Sequence, residues 1–143
     1  MLNKERQEEV VELCQHLIQK QSYSGHEDGV AGVLEEQLKK KGFDSVTVDK
    51  YGNVIGCIKG NRPGKKILFD GHIDTVPVTD ETEWQYPPFA AEIHDGKIYG
   101  RGTSDMKGAV AGFVTAAAAF AEDTKKDFAG EIYVAGVVHE ECF

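Results

Sequence analysis

Tyr99-Gly100-Arg101-Gly102-Thr103-Ser104-Asp105-Met106-Lys107-Gly108 reads as a short strand, a glycine-punctuated loop, one acidic residue and the first turn of an apolar helix. Asp105 stands at the junction, where the backbone N–H groups of a helix start can position a carboxylate. Taken alone, it caps the helix that follows. Two charged clusters flank it: Asp70-Gly71-His72-Ile73-Asp74 before it and His139-Glu140-Glu141 after it. Each terminates an apolar run. Ile67-Leu68-Phe69 leads into the first and Ile132-Tyr133-Val134-Ala135-Gly136-Val137-Val138 into the second. Continuous apolar runs of this length are expected of strands buried on both faces. Open α/β sheets place their sites at the C-terminal edge of such strands. The three stretches are therefore expected to meet around a metal centre with Asp105 in the middle.

Outward from this core, Val10, Leu13, Cys14, Leu17 and Ile18 follow helical spacing and predict an amphipathic first helix. Ser24 and Glu27 match a capping box for a second helix, with Val30, Val33, Leu34 and Leu38 as its buried face and Lys39-Lys40-Lys41-Gly42 as its end. The period then changes to two. Val46 and Val48 form a half-buried strand, Tyr51-Gly52-Asn53 turns it, and Val54–Ile58 runs back antiparallel. Asn61-Arg62-Pro63-Gly64 reads as a turn. Residues 75–90 are a long loop, whose Trp84, Tyr86 and Phe89 are expected to pack it onto the domain. Ile93 and Ile98-Tyr99 suggest a small hairpin around Asp95-Gly96. Residues 108–121, almost wholly Ala, Gly, Val and Phe, predict a helix packed deep inside. The fold class is α/β, a layered domain with a mixed central sheet flanked by helices.

The composition narrows the partners. A chain of 143 residues suits one domain and buries about two-thirds of its unfolded surface. The net charge of −8 disfavours nucleic acid and anionic membranes as partners. Cys14, Cys57 and Cys142 are odd in number and far apart, which fits a reducing compartment better than a disulfide framework. No secretory leader or spanning run is recognisable, so a cytoplasmic location is expected.

The chemistry rests on few side chains. His72 and Asp74 are two apart, so in an extended segment Asp74 can hold one ring nitrogen while the other meets a metal. Asp105 has two carboxylate oxygens and can span two ions about 3.5–4 Å apart. Of Glu140 and Glu141, one can bind metal while its neighbour reaches water as general base. Arg101 and Lys107 are expected to order the loop around Asp105. Each of these features has a bland reading as surface or capping residues, and only the constellation is specific.

Asp70-Gly71-His72-Ile73-Asp74-Thr75-Val76-Pro77, Gly100-Arg101-Gly102-Thr103-Ser104-Asp105-Met106-Lys107-Gly108 and His139-Glu140-Glu141 resemble, in order and spacing, the signature of the M20 family of metallohydrolases. Trp84-Gln85-Tyr86-Pro87-Pro88-Phe89 is similar to that family's Trp…Pro-Phe loop. The run His139-Glu140-Glu141-Cys142-Phe143 is most similar to the selenium-metabolism-linked hydrolase branch.

The resemblance implies a zinc-peptidase-like domain and a role for each matched residue. His72 binds one zinc, Asp105 bridges both ions and Glu141 binds the other, while Asp74 orients His72 and Glu140 is the general base. Two zinc ions are implied for the full-length parent, with cobalt or manganese as alternatives, and a small amide or peptide is the implied substrate. A non-proline cis peptide is implied between Asp105 and Met106. Members also carry a further acidic ligand, a late histidine and a lid domain used for dimerisation. None of these lies in residues 1–143, which are expected to be the N-terminal part of a catalytic domain, inactive alone. The competing expectation is a binding or scaffold fragment that keeps the fold without turnover.

Overall fold

The computed structural model describes residues 3–142; Met1, Leu2 and Phe143, the last residue of the His139–Phe143 run, lie outside the described residues. The helices are α1 (Lys4–Ile18), α2 (Asp28–Lys40) and α3 (Gly108–Thr124). The strands are β1 (Ser45–Val48), β2 (Val54–Lys59), β3 (Arg62–His72), β4 (Glu92–His94), β5 (Lys97–Tyr99) and β6 (Ala129–Val137). The main sheet has the order β1-β2-β6-β3, and β4 and β5 form a separate hairpin. β2 pairs antiparallel with β1 and β6, whereas β3 runs parallel to β6. The sheet is therefore mixed, as the sequence predicts.

Packing explains the layers. Gly71 and Gly136 are register partners on β3 and β6, so they face the same side. A side chain at Gly71 would meet Met106, Val110 and Phe113; one at Gly136 would meet Leu34 and Ile73. These gaps let α3 and α2 approach one face of the sheet closely, and Leu13, Cys14, Leu17 and Ile18 of α1 complete the core. Burial of each large aliphatic side chain contributes about 1.5–3 kcal/mol.

Several expectations need correction. Ile67, Leu68 and Phe69 are not covered on both faces. β3 is an edge strand, and these residues are 50%, 57% and 42% exposed. Asn61–Gly64 is not a free-standing turn, because β3 begins at Arg62 and a register irregularity between Arg62 and Lys66 absorbs the bend. The helix from Gly108 is not deep inside. Val110, Ala111, Val114, Ala117 and Ala121 face the core, but Phe120 is exposed. Ala116 and Phe120 line an open apolar groove of about 400 Å³ with Ile67, Phe69, Phe113 and Phe128.

The capping box is also absent. Glu27 precedes α2 without a side-chain cap bond, and the Ser24 hydroxyl goes elsewhere. Among the described residues, no helix is long and apolar enough to cross a membrane.

Candidate metal centre

β3 and β6 end side by side, with His72 in register with Val137, and the Ile73 N–H donates to the Val137 carbonyl at 2.9 Å. This pairing delivers His72 to the sheet edge beside the turn that carries Glu140 and Glu141. The third stretch lies between the β4–β5 hairpin and α3. Gly102 at φ +83 opens a single wide turn, Thr103–Lys107, in which Asp105 is extended (φ −131, ψ 97). Only a residue without a side chain fits at Gly102, where a Cβ would lie 2.7 Å from Thr75. The Asp105–Met106 peptide is cis, as the resemblance implies. His72, Asp105 and Glu141 each offer one ligand atom, and the three atoms lie within 4.8 Å of one another. Glu140 stands beside them, its Oε2 3.9 Å from His72 Nε2.

The imidazole tests whether a cation belongs here. His72 Nδ1 lies 3.0 Å from the Asp74 carbonyl oxygen. A carbonyl only accepts, so Nδ1 carries a proton. Nε2 lies 2.9 Å from Asp105 Oδ1, another acceptor. Two lone pairs cannot share that gap without a cation between them, either a proton or a metal ion. Burial opposes charging of the ring, but the Asp105 carboxylate and the Asp74 carbonyl outweigh it and hold the imidazole above its ordinary value. The nitrogen and oxygen donor set suits zinc and similar divalent ions. The residues present therefore fit a metal.

Asp74 acts differently from the simple expectation. Its backbone carbonyl makes the short contact to His72, while its carboxylate is 3.6 Å from the same nitrogen. That carboxylate, fully buried, accepts from the Ser24 hydroxyl at 2.6 Å and from the N–H groups of Glu140 at 3.2 Å and Glu141 at 2.9 Å. Burial pushes its carboxyl up, but these three donors prevail and hold it below the usual carboxylate range. Asp74 thus fixes the backbone of the Glu140–Glu141 turn. Sequence reasoning missed this role because it concerns backbone N–H groups 66 and 67 residues away.

Lys107 orders the Asp105 loop, as expected, by an unexpected route. It is wholly buried, and its Nζ donates to the carbonyls of Leu17 and Lys20 at the end of α1, both at 2.9 Å. Burial pushes its pKa down to about 8. Arg101 lies over the Trp84 ring at 5.0 Å and so fastens the long loop beside the cluster. A crevice of about 240 Å³ opens beside the ligands, lined by Val76, Arg101, Ser104, Asp105 and Glu141. The candidate centre therefore has open space into which a small molecule can enter.

Comparison with known proteins agrees with this geometry. The chain is 39% identical over 132 residues to a succinyl-diaminopimelate desuccinylase of Beijerinckia indica, covering 87% of this chain and 34% of that protein. It is 38% identical over 128 residues to the enzyme of the same name from Roseobacter denitrificans, covering 88% and 34%. It superposes on an M20 family metallo-carboxypeptidase from Sulfolobus solfataricus with a TM-score of 0.82 and 26% identity, over 93% of this chain and 31% of that one. Human carnosine dipeptidase 1 shares the fold, with a TM-score of 0.80 at 23% identity over 95% of this chain and 33% of that one. The chain thus spans about a third of the length of the relatives it matches. The sequence profile described as peptidase family M20/M25/M40 matches residues 68–142, more than half of the chain and all three ligand-bearing stretches. This protein belongs to peptidase family M20/M25/M40.

Proposed function

We propose that the protein is the part of a zinc-dependent amidohydrolase that carries the bridging ligand and the general base. It would cleave an amide or peptide bond in a small substrate. The observation that supports this most is the convergence of His72, Asp105 and Glu141 within 4.8 Å, with Glu140 Oε2 3.9 Å from His72 Nε2. In this reading His72 would hold one zinc and Glu141 the other, with Asp105 shared between them. Zinc bound there would supply Lewis acidity, which polarises a carbonyl and lowers the pKa of water. Asp74 keeps His72 oriented and the Glu140–Glu141 backbone in place. Glu140, whose side chain is 57% exposed, takes the proton of the attacking water and returns it to the leaving amine. The names of the relatives favour an N-acyl amine, of which a succinyl amide is one example, as the substrate class.

We read residues 1–143 as the N-terminal part of a catalytic domain. The remaining ligands and a dimer-forming lid would come from sequence outside these residues. The support is the threefold greater length of the relatives.

Zinc titration by calorimetry tests the metal assignment. The 143-residue chain is expected to bind zinc, and His72→Ala or Glu141→Ala to weaken binding at least about 100-fold. That figure is the upper end of what loss of a group supporting a ligand costs. Equal affinity in wild type and both variants would overturn the assignment. Little or no hydrolysis of N-succinyl amino acids is expected from this chain alone. Addition of the polypeptide that follows it in the parent should raise the rate.

A further inference from the structure

The segment between α1 and α2 touches all three ligand-bearing stretches. The end of α1 accepts both hydrogen bonds from Lys107, two residues after Asp105. Ser22 brackets Ile73 and Thr75: its hydroxyl donates to the Ile73 carbonyl at 2.7 Å, and its own carbonyl accepts from the Thr75 N–H at 2.9 Å. The Ser24 hydroxyl donates to Asp74 Oδ2 at 2.6 Å, the same oxygen that accepts from the Glu141 N–H. Three residues on, the buried Glu27 carboxylate accepts from the His139 N–H at 3.2 Å. His139 is held at φ +62, a left-handed backbone that a non-glycine residue adopts only when its surroundings enforce it. Gly25, at φ +89, brings the loop beside the His139 ring.

The Ser-x-x-Glu pair that resembles a helix cap in the sequence thus spends both side chains on partners 50 and 112 residues away in sequence. We propose that Ser24 and Glu27 are positioning residues of the metal centre, setting where the His139–Glu141 turn sits relative to His72. Ser24 acts through Asp74, and Glu27 acts directly on the first backbone N–H of the turn. Neither side chain touches the cluster itself, so their effect is on ligand spacing. The proposal rests on the reading of His72, Asp105 and Glu141 as metal ligands.

The test is zinc calorimetry on the 143-residue chain alongside urea unfolding of the metal-free protein. Ser24→Ala and Glu27→Ala are each expected to weaken zinc binding about 10-fold or more, in line with loss of groups that orient ligands. Ser24→Thr restores the hydroxyl and Glu27→Gln restores an acceptor for the His139 N–H, so both are expected to bind within about threefold of wild type. A merely structural role would shift the urea midpoint and leave the zinc affinity of the folded chain unchanged. That result, with wild type binding zinc and the alanine variants binding equally well, overturns the proposal alone. Wild type failing to bind zinc overturns the metal reading and this proposal with it. Should an alanine variant fail to fold, Ser24→Val and Glu27→Met remove the same bonds while keeping side-chain bulk, and unchanged affinity in these counts equally against the proposal.

Discussion

Gly130→Ala is expected to destabilise the chain by at least about 4 kcal/mol, a magnitude that single substitutions seldom reach. Two independent costs combine. Gly130 sits at φ +97, where an L side chain is strained, and such backbone strain costs about 1–3 kcal/mol. A Cβ there would also lie 1.9 Å from the Lys65 carbonyl oxygen and 3.0 Å from the Lys65 nitrogen. Both are backbone atoms that cannot rotate away. The relief available is separation of β3 from β6 at the register irregularity between Arg62 and Lys66. Since domains of this kind are stable by about 5–15 kcal/mol, much of the folded population is at stake. Gly32→Ala is the control. It lies within α2, a Cβ there meets nothing within 4 Å, and it should stabilise by about 0.5–1 kcal/mol. Urea midpoints of the three proteins decide the matter, and a Gly130→Ala midpoint equal to wild type would contradict this account of the sheet.

Asp74→Ala should combine instability with loss of metal affinity. Removal of the carboxylate leaves the Glu140 and Glu141 N–H groups and the Ser24 hydroxyl without their acceptor. Hydrogen bonds to a charged group contribute about 1.5–3 kcal/mol each, and water can replace part of that, so a loss of about 2–4 kcal/mol is expected. Zinc affinity should fall about 10–100-fold as the Glu141 backbone loosens.

Asparagine is not expected to rescue. Both oxygens of Asp74 accept N–H groups, and an amide would turn its NH2 against one of them. The acid limb of stability offers a second check. The folded carboxyl is held below its ordinary value, so its contribution is complete above about pH 4 and is lost as pH falls through the folded pKa. Wild type should therefore lose stability more steeply than Asp74→Asn below pH 4. Parallel pH profiles would show that the bonds to Asp74 carry no net weight.

The candidate ligands were legible in the sequence because each sits where an apolar strand ends or an apolar helix begins, and residue types with donor atoms are conspicuous there. The two hairpins were legible from alternating residues around turn signals, and the buried stripe of α1 from helical periodicity. What surrounds an apolar run was not. Ile67, Leu68 and Phe69 report that this stretch favours burial, but nothing in their order states which faces are covered, and the strand lies at the edge. Ser24 and Glu27 failed for a related reason. Their spacing is that of a local cap, and local spacing carries no trace of partners 50 and 112 residues away. The Asp74 carboxylate serves backbone N–H groups, which every residue possesses, so no side-chain pattern could announce them.

The strand order has a consequence for the time course of folding. β6 lies between β2 and β3, yet it is the last of the described strands in sequence. As the chain leaves the ribosome, the β1–β2 hairpin can close at once, but β3 has no neighbour until residues 129–137 emerge. Pairing His72 with Val137 then closes a loop of 65 residues (137 − 72), a long-range step that is slow compared with hairpin formation. The cluster of His72, Asp105 and Glu141 cannot exist before that moment. Until residues 129–137 emerge, β3 stays unjoined beside the closed β1–β2 hairpin, and the centre is assembled only when β6 enters between β2 and β3.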